Sequence, residues 1–536
     1  MLLRSLLAAA LLAGSLSPGY AQSRNGTIVG AVLDSQTGHP IPGAEVAVSG
    51  TASAQATTDL QGLYRIAVPP GTYVVAVRSA GYHGVELTEV MVEAGKTVEA
   101  STVLVSLAAV TSIDVVESAS AVGATAQAML IEQKLAPVIS DSLSREELSA
   151  STAGDAAGAL EKVTGVSVVG DGYVYVRGLG ERYSAAQMNG AVITTTEPEK
   201  RVVPLDLFPS SLIENLRISK TYSPDLPAEF SGGLVEMKTI EFPAQPILNL
   251  SVKSGFNTAT TFGQFLSYPG GAHDFFGFDD GSRNLPSLIP GEQRLFQGAF
   301  TPAELQQFGR AFSVNWEPTP IQSIRPAVAW SAVAGGTFGR FGLVGALTFD
   351  NTPHLQEEVQ RYIRQGANAP VIYSEYKDFR TYTQQAKLGA VFNASVQLRP
   401  NHQILFRNTL TRDGEKSVRE FSGYDGGIDS EVFSQRLRWV ERKNYIASIE
   451  GNHSFPALGN GLVHWQFTRS LSTRKEPDLR EVIRGKLPDG QYIFVSLGSS
   501  AVRYFGELED RINEPQIDFS IPFYKGSLTG LFKTGF

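Results

Sequence analysis

Two histidines each stand three residues ahead of a glutamate, in His83-x-x-Glu86 and His354-x-x-Glu357, the spacing of paired zinc ligands in some peptidases. Neither pair has a third ligand nearby: the first sits at the edge of a short β-prone repeat and the second in a polar stretch. No metal site and no hydrolytic chemistry is expected from them. Gly178-x-Gly180 opens like a phosphate cradle, but Tyr183 stands where the third glycine belongs, which removes the close backbone approach a nucleotide needs. Arg177 and Arg182 beside it suit either contacts to an anionic ligand or ion pairs inside a packed domain. Ion pairing is the stronger expectation, because buried arginines are normally paired. Phe275, Phe276 and Phe278 next to Asp279 and Asp280 make a candidate ligand loop, or a locally packed one. Cysteine is absent, so there is neither a disulfide framework nor a thiolate site. No covalent chemistry, cofactor or metal is expected.

The elements that must position these residues begin behind an export signal. In residues 1–21, Arg4 supplies the positive end, Leu6 to Leu16 an apolar stretch too short to span a bilayer, and Gly19-Tyr20-Ala21 a cleavage site, so the mature chain is expected to start at Gln22. A chain of 536 residues needs two or more domains. Charged residues make up 18% and the net charge is −8, which supplies no basic face for nucleic acid. No later run is apolar and long enough for a membrane helix, so any membrane crossing must use strands.

From residue 25 to 107, short β-prone runs alternate with turn residues, the signature of a small sandwich. The pattern Gly30-x-Val32-x-Asp34, Pro42-Gly43-Ala44-x-Val46, Thr58-Asp59-x-x-Gly62-x-Tyr64 and Pro70-Gly71-x-Tyr73 resembles the carboxypeptidase regulatory-like family of transthyretin-like sandwiches. Residues 108–135 read as a linker with one extended island, Ile113-Asp114-Val115-Val116-Glu117, able to add itself to a partner's sheet edge. Two helices are expected next, one capped at Ser144-x-x-Glu147 and one from about Thr152 to Val163. Within residues 136–243, Asp155-Ala156, Val163-Thr164-Gly165-Val166, Tyr175-Val176-Arg177-Gly178, Arg182-Tyr183, Asn189-Gly190, Arg201 to Asp206, Pro224-Asp225 and Phe230-Ser231-Gly232-Gly233 resemble the plug of TonB-dependent receptors. The plug-motif residues are Arg177, Gly178, Arg182, Asn189, Gly190, Gly232 and Gly233.

Beyond residue 244 the period becomes two. Leu248, Leu250, Val252 and Phe256 alternate with Asn249, Ser251 and Lys253, and the pattern returns at 386–398 and 462–470, as outward-apolar, inward-polar membrane strands require. Tight turns at Gly339-Arg340, 399–402, 457–461 and 524–526 alternate with long connections at 258–325, 352–377, 413–430 and 474–498, the outer-membrane arrangement. The fold expected is mainly β: a small sandwich, an α+β plug and the first part of an antiparallel transmembrane β-barrel. About nine strands can be counted where plugged transporters have about 22, so the barrel reads as incomplete. The resemblance implies a receptor in a Gram-negative outer membrane, with sandwich and plug on the periplasmic side. It further implies contact with outer-membrane lipid, an extracellular ligand that is not identified, and TonB gripping Ile113 to Glu117 to drive import. Two other readings are a surface binding or assembly protein without active transport and, from the sandwich family's name alone, a secreted peptidase.

Overall fold

The computed structural model describes residues 25–104 and 139–536, apart from residues 35–39, 60, 81, 151–153, 170–171, 199–201, 225, 228–231, 241–245, 292–293, 297, 400, 456–460, 497, 499 and 526–527. The export signal and the candidate TonB-binding segment Ile113 to Glu117 lie outside the described residues. The chain forms two compact units, residues 1–135 with 522–532 and residues 136–521 with 533–536. No described helix is long and apolar enough to cross a membrane.

The sandwich contains β1 (Gly26–Asp34), β2 (Glu45–Gly50), β3 (Ala54–Thr57), β4 (Leu63–Val68), β5 (Gly71–Arg78), β6 (Val85–Val92), β7 (Thr97–Glu99) and β8 (Thr102–Leu104). One sheet runs β4-β1-β7 with β8 also on β1, and the other runs β3-β2-β5-β6. Alternation drives the packing: on β4, Tyr64, Ile66 and Val68 are buried while Leu63, Arg65 and Ala67 face solvent. They meet Ile28, Val32, Val46, Val48, Tyr73 and Val75 in one core, and each such side chain stabilises the fold by roughly 1.5–3 kcal/mol. The family motif turns out to be turn chemistry. Thr58 donates its hydroxyl to the Ile41 carbonyl at 2.6 Å and accepts from the Ala44 N–H at 2.8 Å, while Asp59 accepts from the N–H groups of Gln61 and Leu63.

The second unit opens with β9 (Ser140–Ser144), α1 (Arg145–Ala150) and α2 (Ala156–Leu160), followed by the hairpin of β10 (Val166–Val169) and β11 (Tyr173–Val176), then β12 (Ser184–Met188), β13 (Ala191–Val192), β14 (Ile213–Ser219) and β15 (Gly233–Thr239). Its sheet runs β13-β12-β15-β14-β9. The expected cap is present at α1, where Glu147 accepts from the Ser144 N–H and returns an N–H to the Ser144 hydroxyl. The second helix is shorter than expected. Asp155 caps it by accepting from the Gly158 N–H, so it starts only at Ala156, and after Leu160 the chain turns toward β10.

The large antiparallel sheet contains β16 (Ile247–Gly255), β19 (Ala327–Phe338), β20 (Phe341–Gln365), β21 (Pro370–Arg399), β22 (His402–Asp425), β23 (Ser430–Phe455), β24 (Gly461–Lys486), β26 (Val502–Lys525) and β27 (Leu528–Gly535), paired in that order, with the short β25 (Tyr492–Phe494) on β24. Two more short strands, β17 (Phe265–Ser267) and β18 (Thr319–Ile321), pair with each other inside the long connection between β16 and β19, which also carries α3 (Pro302–Ala311). Three connections expected as long loops are mostly strand. β20 and β21 run for 25 and 30 residues and meet through residues 366–369, and β22 meets β23 through 426–429. Connection length therefore does not distinguish the two ends of those hairpins. Strands need only about 9–11 residues to cross a bilayer. Past about residue 355 both faces are mostly exposed, with Val359, Ile363 and Ile372 scattered among cross-strand pairs such as Arg361–Glu375 and Arg380–Glu357, so the regular apolar alternation that marks a membrane strand is lost and the sequence looks like loop. Lower down it is intact: Leu248, Leu250 and Val252 are 69%, 72% and 81% exposed on one face, with Phe338, Phe341, Leu343, Phe392, Phe406, Ile449, Phe467 and Ile517.

Candidate functional site: the plug domain against the sheet

The opposite face of the sheet holds described residues from the 139–240 stretch. Contact begins as an apolar seam, where Leu212 and Ile240 pack with Val333, Val344, Ala346 and Val391. Asn393, fully buried, donates to the Thr239 hydroxyl at 3.1 Å and the Ile240 carbonyl at 2.9 Å. Higher on the strands the contact turns ionic. Lys387 on β21 lies 3.3 Å from both Asp155 and Asp206 and donates to the Asp206 carbonyl at 3.0 Å. Burial pushes the Asp206 carboxyl up to about 6 against the pull of Lys387. Arg442 on β23 pairs with Asp413 at 3.0 Å and approaches Glu197 at 3.5 Å, and Glu197 also takes Arg474 of β24 at 3.0 Å. Thr194 bonds to Ser470 and Ser472, while the N–H groups of Val192 and Thr195 donate to Glu514 and Asp510 of β26. The seat of this domain is thus largely exchangeable polar contact.

The motif residues build the domain's turns. Asn189 and Gly190 both take positive φ, 50° and 83°, in the tight β12–β13 turn, as a two-residue hairpin of the Asn-Gly type requires. Asn189 accepts from the Thr239 N–H at 3.0 Å, and its own carbonyl accepts from Gln466 of β24 at 3.0 Å. Gly233 lies so near Val176 that a Cβ there would sit 2.8 Å from its methyl groups. Gly232 donates its N–H to the Tyr183 carbonyl at 2.8 Å. Arg177 and Gly178 form a second positive-φ pair, 54° and 74°. The expectation of buried ion pairs fails for both arginines. Arg177 is exposed and donates to the Lys220 carbonyl at 3.1 Å, and Arg182 is exposed on a short turn with no ion pair among the described residues. Neither is desolvated, so neither needs a carboxylate.

The candidate ligand loop packs on the outward face. Phe275 and Phe276 stack edge-on at 5.0 Å and both meet Phe349 of β20, and the Arg412 guanidinium lies 3.9 Å over the Phe278 ring. Asp279 pairs with Arg283 at 2.8 Å, and Asp280 accepts from the N–H groups of Ala272 and Ser282. An apolar groove of about 430 Å³ over Ala332, Gly345, Ala390 and Leu410 also lies outward. On the inner face above Glu197, Arg438 pairs with Glu476 and Arg419 with Glu481, and between them Arg436 has no ion pair among the described residues. These residues were not singled out from sequence. Their inward parity on β22 and β23, shared with Asp413 and Arg442, is the signal that could have found them. His83 and Glu86 start no cluster, and among the described residues no three His, Asp or Glu side chains gather as metal ligands.

Comparison with known proteins assigns the two smaller domains. The carboxypeptidase regulatory-like domain family matches residues 27–105, and the TonB-dependent receptor plug domain family matches residues 132–234. No curated protein matches the sequence. Among solved structures, similarity is found to the copper transporter OprC, at 11% identity and a TM-score of 0.28, covering 72% of this chain and 62% of that one. The RagAB peptide importer in its open-open state matches at 9% identity and a TM-score of 0.34, over 72% of this chain and 53% of that one. The siderophore receptor PirA from Pseudomonas aeruginosa matches at 11% and 0.29, over 73% and 60%. The chain spans less than two thirds of each of these structures.

Proposed function

From a chain that carries the plug domain of TonB-dependent receptors behind a carboxypeptidase regulatory-like domain, we propose an outer-membrane transporter that binds an extracellular ligand and imports it with energy delivered by TonB. The observation that carries this reading is the seat of the plug. It rests on the sheet through Lys387, Asn393, Arg442 and Arg474 and through one small apolar seam, a contact that water can replace when the plug moves. A permanently fused domain would gain more from an apolar interface. The face of the sheet beyond the plug carries Arg419, Arg436, Arg438, Glu476 and Glu481, which suits a hydrophilic ligand. The loop with Phe275, Phe276, Phe278, Asp279 and Asp280 packs on the outward face instead, with Asp280 exposed, and would meet a ligand only outside this surface. TonB would take the β-prone sequence Ile113-Asp114-Val115-Val116-Glu117 by strand addition. The tight turns at 339–340 and 399–402 would face the periplasm.

Ligand uptake that stops when the inner-membrane proton gradient is collapsed, with surface binding unchanged, is the expected result. Uptake that continues would leave the display or assembly reading, in which the barrel only anchors a surface partner.

A further inference from the structure

On β24, Gln466, Thr468 and Ser470 face the plug domain, so Arg469 points to the opposite side. It is exposed there, and among the described residues no hydrogen bond or ion pair joins it. Its ladder neighbours are Ala447 on β23 and Asn513 on β26, and Ala447 in turn faces Asn408 on β22. The same row continues through Phe392, Gly345 and Ala334 to Leu248. One half of the row is therefore apolar, and the other carries an arginine and two asparagines.

The depth of the row is fixed by β23. Its outward face runs from His453, which accepts a hydrogen bond from the Trp465 indole at 3.0 Å, through Ile449, Ala447 and Tyr445 to Lys443. Ten residues of tilted strand rise about 25 Å, the height of the apolar band of a membrane barrel. Trp465 with His453 and His402 forms the amphipathic ring cluster expected at one interface, and Lys443 marks the other. Ala447, and with it Arg469, lies between them. An arginine facing hydrocarbon at that depth is strongly unfavourable unless something anionic meets it. The Trp465 row and the Lys443 row each lie four residues from Arg469 along the strands, about 10 Å of depth either way, most of which a snorkelling side chain covers.

We propose that Arg469, with Asn513 beside it, is a binding site for an acidic phospholipid, whose phosphate the guanidinium meets by snorkelling. The guanidinium supplies the charge and the forked donors, and the Asn513 amide supplies a second donor to the same phosphate. Charge complementarity selects the lipid, since Arg511, the next outward charge, is already held by Glu509. This inference rests on the reading of the sheet as a membrane barrel.

The test uses the complete receptor, with its whole barrel, inserted into phosphatidylcholine vesicles with or without phosphatidylglycerol. Co-purifying lipid is counted by native mass spectrometry. Wild type should retain phosphatidylglycerol over phosphatidylcholine by about fivefold. Arg469→Leu should lose that preference, Arg469→Lys should keep part of it, and Arg511→Leu should leave it intact. In phosphatidylcholine alone Arg469→Leu should raise the urea midpoint, because the unmet charge is gone. No preference in the wild type, or the same preference in Arg469→Leu, overturns the proposal. So does a cysteine at position 469 that crosslinks one copy to another. Failure of the wild type to resist carbonate extraction from either vesicle would instead overturn the membrane reading, and this site with it.

Discussion

Glu197 of the plug and Arg474 of β24 meet with one guanidinium nitrogen 3.0 and 3.1 Å from the two carboxylate oxygens. Arg442 approaches the same carboxylate at 3.5 Å, and all three side chains are about nine-tenths buried or more. Removing the carboxylate leaves Arg442 still paired with Asp413 but Arg474 with only Glu476 at 3.6 Å, so Glu197→Ala should weaken seating of the plug by about 1.5–3 kcal/mol, the worth of a charge-assisted hydrogen bond. Glu507→Ala, which breaks an exposed pair with Lys475, should cost less than about 1 kcal/mol. Urea unfolding followed by protease accessibility of the plug measures both, and equal losses would contradict the role given to Glu197.

In the sandwich, Glu99 is 2% exposed, and burial pushes its carboxyl from 4.5 up to about 7 against the favourable Ser101 hydrogen bond. The folded domain holds the proton more tightly than the unfolded chain. Its stability contribution is therefore complete below pH 4.5 and is lost as the pH rises through about 7. Once solvent screening is allowed for, the loss should be about 1–2 kcal/mol. Glu99→Gln should flatten the dependence and make the domain more stable than wild type at pH 8.5. Denaturant titrations at pH 5.5 and 8.5 that give parallel curves for the two proteins would refute this.

Two glycines separate sterics from backbone strain. Gly178 has a positive φ but open space around it, whereas Gly233 is crowded by Val176. Gly178→Ala should cost about 1 kcal/mol and Gly233→Ala about 1–3 kcal/mol through overpacking between β15 and β11. Thermal unfolding of the two variants should place Gly233→Ala lower.

Much of this fold is legible in the residues, for reasons that also explain what is not. The period-two runs at 247–257, 386–398 and 462–470 mark strands because one face carries exposed apolar side chains and the other meets the plug or polar partners. Residues 352–365 and 370–377 are strand as well, but both faces are largely exposed there, and no alternation records it. Asn189-Gly190 and Gly232-Gly233 stand out in sequence because turns and close approach need those residue types. Lys387, Arg442 and Arg474 do not, since a buried cation and a solvated one look alike until its partner, on another strand or in the plug, is placed beside it.

Topology can be read on intact cells. A tag between Gly426 and Gly427, at the β22–β23 turn, should be labelled from outside, and one at Asn401 should not. The reverse pattern would turn the barrel over in the membrane.

The central claim is that TonB pulls on the segment Ile113 to Glu117 ahead of the plug. Strand addition depends on main-chain N–H groups, so proline at Ile113 or Val115 should break it while alanine is milder. The segment precedes the folded plug, so ligand binding should persist. The decisive measurement is ligand uptake against ligand binding in cells whose complete receptor carries Ile113→Pro or Val115→Pro. The account predicts that uptake falls to background with binding unchanged; full uptake by both variants would contradict it.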